Sequence, residues 1–341
     1  MIDIVFVQYY TCVVIIFSRI FAGRERKNMR IGIPRAGMYY RYGTLWKEFF
    51  KNLGIETVLS RETDKALLDS GAALMVDESC LASKIFMGHT ASLLDDCDML
   101  FIPWISNFGK DGINCTRFRA LNAITANIFR DRAPQILAYP IDYSGTQDMK
   151  HAASEEEAFI SMHRALQRSR SELRDAYRAA HAVFIKEQRE AAAAAEKKAD
   201  EPGKKVLLVG RDYLIHDKYV GKPVTRCIEK LGLSVIDANA IDRAQAQTDF
   251  KELADDTLPW TVSRELLASI VKFRDRVDGI ILLTGFPCGP DSMVNDIIAR
   301  KLHDKPLLFL LLDGLDGTAG IETRIESFAD IISFNEGGGV Q

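Results

Sequence analysis

Three cysteines follow apolar runs that read as buried strands. Cys80 closes "ALMVDESC", Cys115 sits in the loop after "DMLFIPWI", and Cys288 follows "VDGIILLTGF". Open α/β sheets hold their ligands beyond the carboxyl ends of their strands, so each of these positions opens onto a cleft. At the last of them, Pro287 and Pro290 restrict the backbone while Gly289 permits a close approach. Cys80 and Cys288 also stand just before predicted helices, whose positive dipole ends favour a thiolate. Three thiolates from separate loops suit a metal site in which one coordination position stays open. Soft sulfur ligands select an iron–sulfur cluster or zinc. No Cys-x-x-Cys pair is present, so spacing alone equally allows three small buried residues at loop starts.

The other cysteines carry less chemistry. Cys227 shares an apolar helix face with Val224, Ile228 and Leu231 and reads as core. Cys97 lies in the acidic turn "DDCDML", a poor place for a thiolate, and Cys12 belongs to the N-terminal stretch. Six cysteines in a chain of 341 residues with no secretory pattern point to reduced thiols, metal ligation or redox chemistry, not a disulfide framework.

Further side chains could serve such a centre, each with a plainer reading beside it. His89 lies nine residues beyond Cys80 on the same predicted helix. It could donate to a metal-bound sulfur or be a satisfied helix-face histidine. Asp77 and Glu78 could act as acid or base at an open metal position, or support the helix start. Arg324 could bind an anionic ligand or form a salt bridge between lobes. The glycines of "IGIPRAG" and "GTAG" lack the spacing of a nucleotide-binding loop.

The elements that must position these residues alternate strand and helix. "MRIGIP" predicts a strand, and the following helix sets Leu45, Trp46, Phe49, Phe50 and Leu53 on one stripe before ending at Gly54. A strand over 55–59, a helix capped by Thr63, and a strand in "ALMVDESC" leading into a helix over 81–94 come next. "DMLFIPWI", a loop, a helix over 119–129 and the strand "PQILAYPID" complete this first lobe. Residues 154–198 are helical throughout, and the Ala- and Lys-rich end "EQREAAAAAEKKADEPGKK" reads as a solvated spacer broken at Pro202-Gly203. The second lobe repeats the pattern through "KVLLVG", "LSVIDAN", "VDGIILLTGF" and "PLLFLLLDG", with a closing helix "ETRIESFADIISF". Continuous apolar strands with helices between them argue for parallel sheets covered on both faces. The expected architecture is α/β: two doubly wound, flavodoxin- or Rossmann-like lobes with separate cores, joined by a helical spacer. The expected boundaries are 29–150, 151–203 and 204–341, after an extension over 1–28.

That extension is mostly apolar from Ile4 to Ile20 and is followed by Arg24, Arg26 and Lys27. Asp3 precedes the apolar part, where a signal peptide would carry positive charge, and Gln8 and Arg19 interrupt it. The expectation is a start upstream of a natural initiator at Met29. The alternative is an anchor with the body on the positive, cytoplasmic side. Either reading places the body in the cytoplasm. The net charge of −3 and the lack of a long basic stripe point away from nucleic acid.

Four segments in order, "MRIGIPRAGMYYRYGTLWKEFFKNLG", "DESCLASKIFMGH", "VDGIILLTGFPCGPDS" and "AGIETRIESFAD", resemble the domain of unknown function of 2-hydroxyacyl-CoA dehydratase activase-related proteins. That family is distantly similar to the iron–sulfur subunits of (R)-2-hydroxyglutaryl-CoA dehydratase. The resemblance runs from Met29 to Phe334. It implies that Cys80 and Cys115 from the first lobe and Cys288 from the second hold a [4Fe–4S] cluster with one iron open. An ATP-dependent activase would deliver a low-potential electron there under anaerobic conditions. The protein would then be an electron-transfer component, or a dehydratase-like lyase acting on an acyl-CoA-like substrate, alone or in a homo- or hetero-oligomer. The alternative is a non-catalytic scaffold or regulatory partner with a degenerate or zinc-binding site. Two departures bear on this choice. Relatives carry Asp-Glu-His where this chain has Asp313-Gly314-Leu315, and proline and lysine follow their second cysteine where Thr116 and Arg117 stand here. Both touch proton transfer and the surroundings of the centre before they touch its thiolates.

Overall fold

Short aliphatic runs form two four-stranded parallel sheets in a computed structural model that describes residues 29–109, 112–130, 135–138, 140–141, 154–314 and 319–334. The first lobe runs β1 (Arg30–Ile33), α1 (Tyr39–Asn52), β2 (Glu56–Leu59), α2 (Lys65–Ala73), α3 (Leu81–Ala91), β3 (Met99–Phe101) and β4 (Trp104–Ile105). It continues with β5 (Asn107–Gly109), β6 (Gly112–Ile113), α4 (Thr116–Arg119), α5 (Leu121–Ile128), β7 (Gln135–Leu137) and β8 (Pro140–Ile141). Helices α6 (Glu155–Ser161), α7 (His163–Leu166) and α8 (Arg170–Asp200) lead to the second lobe. That lobe holds β9 (Lys205–Val209), α9 (Asp212–His216), α10 (Lys222–Lys230), β10 (Ser234–Asp237), α11 (Arg243–Asp249) and α12 (Thr261–Phe273). It closes with β11 (Gly279–Gly285), α13 (Gly289–Lys301), β12 (Leu307–Leu312) and α14 (Ala319–Phe334).

The strand orders β2-β1-β3-β7 and β10-β9-β11-β12 are the same winding used twice, the order of flavodoxin-like sheets. In register, Ile31 faces Thr57 and Met99, while Ile280 faces Leu207 and Leu307. In each sheet the chain reverses direction beside its first strand, so clefts open past β1 and β3 and past β9 and β11.

The stripe expected on α1 is buried, and Gly54 takes φ 65° just beyond its end. The expected separation of cores is not found. One apolar cluster runs through both lobes, joining Leu81, Phe86 and Phe118 of the first to Leu214, Ile281 and Phe328 of the second. The end of α8 is also more than a solvated spacer. Leu173, Tyr177 and Phe184 enter the first lobe's outer core, and Ala195 and Ala199 enter the second's. Alanines are small enough to pack at both places without forming a visible stripe in the sequence.

Two local expectations are corrected. "ALMVDESC" forms no strand: α2 runs into it, and residues 74–79 are a turn in which Val76 is exposed. Three apolar residues after a helix leave no room for an added strand, because α2 and α3 pack directly on each other. The cap of α2 is Asp64, whose carboxylate accepts from the Leu67 amide at 2.8 Å, and not Thr63, whose hydroxyl is used elsewhere. The α2–α3 contact depends on glycine. A Cβ on Gly71 would stand 1.9 Å from the Lys84 carbonyl oxygen, and one on Gly88 would stand 2.2 Å from that of Leu67. Gly71→Ala is therefore expected to force the helices apart and cost about 1–3 kcal/mol. A lower urea midpoint would show this, and an unchanged midpoint would show that the pair separates freely.

Among the described residues, no helix is long and apolar enough to cross a membrane. The stretch over 1–28, with Cys12, lies outside the described residues.

Candidate functional site

All three candidate cysteines are helix N-caps: Cys80 of α3, Cys115 of α4 and Cys288 of α13. None spends its sulfur on a side-chain cap bond to its helix. The position that would satisfy a helix start is instead occupied by a half-buried free thiol.

Each cysteine is held by contacts that cross the lobes. The Leu81 amide, next to Cys80, donates to the Phe286 carbonyl at 2.9 Å, two residues before Cys288. The expected loop before Cys115 contains the β5–β6 hairpin, and Ile113 pairs with Trp260 of the second lobe, its amide donating to Pro259 at 2.8 Å. The Cys115 amide donates to the Asn114 side-chain oxygen at 2.9 Å, and the Asn114 amide to Ser106 at 2.9 Å. Phe286–Pro287 is a cis peptide, and the Phe286 amide donates to Leu312 of β12 at 2.7 Å.

Near the Cys288 loop stands a pair that sequence reasoning missed, buried Arg211 and half-buried Tyr213, just past the carboxyl end of β9. Arg211 Nε donates to Asp291 Oδ1 at 2.7 Å and a terminal nitrogen donates to Ser263 Oγ at 3.3 Å. Burial works most strongly against its charge, yet the Asp291 carboxylate together with smaller neighbouring contributions holds the guanidinium above its usual range. Burial likewise lifts the Tyr213 phenol well above its normal value, with Arg211 opposing, and its ring lies 5.6 Å from that of Phe118. The Cys288 thiol is pushed up to about 12, first by burial and then by the Asp291 carboxylate. Left alone it keeps its proton, so thiolate here needs a compensating cation. Cys80 Sγ lies 3.2 Å from Ser83 Oγ.

The polar residues "GRD" at the end of an apolar strand were the available signal for Arg211. Asp291, three residues after Cys288 in the first turn of α13, was the other.

The remaining candidates fall elsewhere. His89 is fully buried, with Nδ1 2.7 Å from Ser60 Oγ and Nε2 3.0 Å from Thr63 Oγ1, so both ring nitrogens are engaged away from the cysteines. Asp77 and Glu78 are exposed in the turn before Cys80, and the Asp77 carbonyl accepts from Lys84 at 2.9 Å. Arg324 is exposed and donates to the Phe309 carbonyl at 2.6 Å, within its own lobe. There it caps an outward carbonyl of the edge strand β12, a device that blunts an open sheet edge. Cys97 is buried, its sulfur donates to Leu93 at 3.1 Å, and burial, then Asp98, raises its thiol to about 11. Cys227 packs at the border of the shared core, although Leu231 of its expected face is 39 % exposed. Asp313 and Gly314 follow β12, with Gly314 at φ 79°, and Leu315 and the "GTAG" loop lie mostly outside the described residues.

Among the described residues, no group of three or more His, Cys, Asp or Glu side chains is arranged to hold a metal ion. A single tetrahedral zinc with bonds of about 2.3 Å needs its sulfurs within about 4 Å of one another. A cluster spreads its thiolates over several irons and asks for a wider set. Thiols are the donor type that either group takes.

A family model described as "CoA enzyme activase uncharacterised domain (DUF2229)" matches residues 30–241. No curated protein matches the chain. Among solved structures, the chain is similar to ZnuA with 11% identity and a TM-score of 0.25, over 90% of this chain and 98% of that one. It is also similar to the C-terminal domain of glucosamine-fructose-6-phosphate aminotransferase from Francisella tularensis, with 11% identity and a TM-score of 0.22, over 91% of this chain and 85% of that one. Scores this low carry no argument about fold or function.

Proposed function

The chain belongs to the CoA enzyme activase uncharacterised domain family, and on that premise we propose that it is a redox protein whose Cys80, Cys115 and Cys288 hold a [4Fe–4S] cluster at the seam of its two lobes. The observation that supports this reading is that three N-cap cysteines stand on segments tied together across the lobes, the Leu81 amide bonded to Phe286 at 2.9 Å and the Ile113 amide to Pro259 at 2.8 Å. When bound, such a cluster with one iron open would supply one-electron chemistry toward an acyl-CoA-like substrate.

The chain's own residues have definable parts in this. Arg211, fixed by Asp291 and Ser263, places a positive charge beside a centre whose thiolates and sulfides are negative. Tyr213 and Phe118 exclude water from one side. The opposite side suits a protein partner. Val76 and Ile113 flank Cys80 and Cys115, and Phe286 and Met293 flank Cys288, all of them exposed, from 38 % at Ile113 to 63 % at Val76. Exposed apolar residues close in the chain to all three cysteines suit an interaction surface, and an ATP-dependent activase delivering electrons is the partner this reading implies.

A second reading, a scaffold or regulatory partner without turnover, is favoured by the turn after β12. Gly314 lies so close to Leu68 and Leu81 that a Cβ there would stand 2.7 Å and 2.9 Å from them. Where relatives carry acid and histidine, this chain packs a glycine turn against the first lobe.

Anaerobic reconstitution with iron and sulfide is expected to give about four irons per chain and the visible band of a cubane cluster. Cys80→Ser, Cys115→Ser and Cys288→Ser should each lose most of that iron, and Cys227→Ser should keep it. Unchanged iron in Cys288→Ser would reject the assignment. A full cluster with no acyl-CoA turnover, in the presence of a reductant, would select the second reading.

A further inference from the structure

A cleft of about 370 Å³ lies away from the cysteines, between α1, α8 and the loops that follow β9 and β10. That is the size of a small-molecule pocket, and its place beyond strand ends at a lobe boundary is where such pockets form. Its acids are already engaged. Asp237 Oδ2 lies 2.9 Å from His216 Nε2, its Oδ1 accepts from the Asn239 amide and side chain at 2.9 Å, and Asp212 stands 4.0 Å from Arg41 and 3.6 Å from Arg243. Donors remain. Lys47 forms no ion pair among the described residues and lies 6.0 Å from the Tyr39 ring. The buried Gln188 Nε2 has no hydrogen-bond partner among the described residues, a loss a ligand acceptor would repair. Arg243 is largely buried beside Arg41, and burial, then that neighbouring charge, holds it below its usual range. Its one ion pair among the described residues, to Asp212 at 3.6 Å, is longer than a hydrogen bond and leaves its N–H groups to donate to an anion. Glu187 also lines the cleft but is exposed on α8. Tyr39 and Phe184 give apolar wall.

We propose that this cleft binds a small organic anion, its carboxylate or phosphate held by Arg243, Lys47 and the Gln188 amide and its apolar body against Tyr39 and Phe184. The site touches both lobes and α8, so its occupant stabilises their arrangement by mass action. The reading does not depend on the cluster.

Calorimetry and thermal melting of the full chain test it with four probes: ADP, pyrophosphate, glutarate and uncharged adenosine. At least one anion should bind and raise the melting temperature, it should outbind uncharged adenosine at least tenfold, and the arms separate a phosphoryl from a carboxylate preference. Lys47→Gln and Arg243→Gln should each weaken the binding anion tenfold or more. Should Arg243→Gln fail to fold, Lys47→Gln, on the surface, carries the test. No binding by any anion at millimolar concentration, equal binding of adenosine, or unchanged affinity in Lys47→Gln would overturn the proposal. In Cys288→Ser the binding should persist, and its loss there would overturn the cleft as a separate site.

Discussion

Glu265→Ala should destabilise the protein by about 3–5 kcal/mol, the cost of removing one member of a buried ion pair. Arg41 on α1 of the first lobe meets Glu265 on α12 of the second through two bonds of 2.6 Å and 2.8 Å, and both residues are buried. Burial opposes the Arg41 charge, and the Glu265 carboxylate restores it, so the guanidinium stays above its usual range. Alanine takes away the bidentate carboxylate and leaves that charge inside. The pair crosses the lobes, so the loss should appear in both of them. Urea unfolding followed by tryptophan fluorescence and by circular dichroism should shift together to a lower midpoint. The double variant Arg41→Met, Glu265→Leu removes both charges and should recover much of the loss, because an apolar pair owes no desolvation. A Glu265→Ala cost below about 1 kcal/mol would show that water already reaches this pair.

The same seam explains why the site was partly legible and partly not. Strand and helix positions follow from local patterning: four apolar residues in a row, Val206 to Val209, are enough to mark a strand buried on both faces. Cys80 and Cys288 were legible as helix starts for the same reason, whereas Cys115, read in a loop before a helix from 119, caps a short helix over Thr116–Arg119 that the sequence reading did not expect. Cys80 reached its place by another route than expected, through a helix–helix turn, because "ALMV" gives the same apolar signal whether it ends a helix or forms a strand. Arg211, Asp291 and Glu265 were illegible because a charged residue in a sequence reads as exposed, and only a partner distant in the chain makes its burial tolerable. His89 shows the converse. Its place on an apolar helix face allowed a role at the metal centre, yet Ser60 and Thr63, more than twenty residues earlier, claim both of its nitrogens.

Those two bonds make His89 the source of the second large effect, an acid instability that begins above the carboxylate range. Thr63 Oγ1 donates to Asp217 Oδ2, an acid fixed by the Tyr219 and Val220 amides at 2.9 Å and 3.0 Å. With its proton committed, that hydroxyl accepts from His89 Nε2, so Nδ1 is the acceptor of the Ser60 hydroxyl, which in turn accepts from the Arg35 amide at 2.7 Å. The chain closes only with a neutral ring. Burial, then the charges of Arg35 and Arg61, press the His89 pKa down to about 3, with Asp64 opposing. An unfolded histidine titrates near 6.5, so between about 6.5 and 3 the unfolded chain binds the proton that the fold refuses. The contribution is complete above the unfolded pKa and drains away as pH falls, by about 1.4 kcal/mol per unit, or about 2 kcal/mol at pH 5. His89→Gln keeps an amide donor and acceptor but cannot titrate. It should be less stable than the parent at pH 7, and the gap should close as the pH falls to 5, read from urea midpoints at the two pH values. A gap that stays constant would mean that His89 takes up its proton in the folded protein, and that the lobes tolerate a cation in the network joining Thr63 to Asp217.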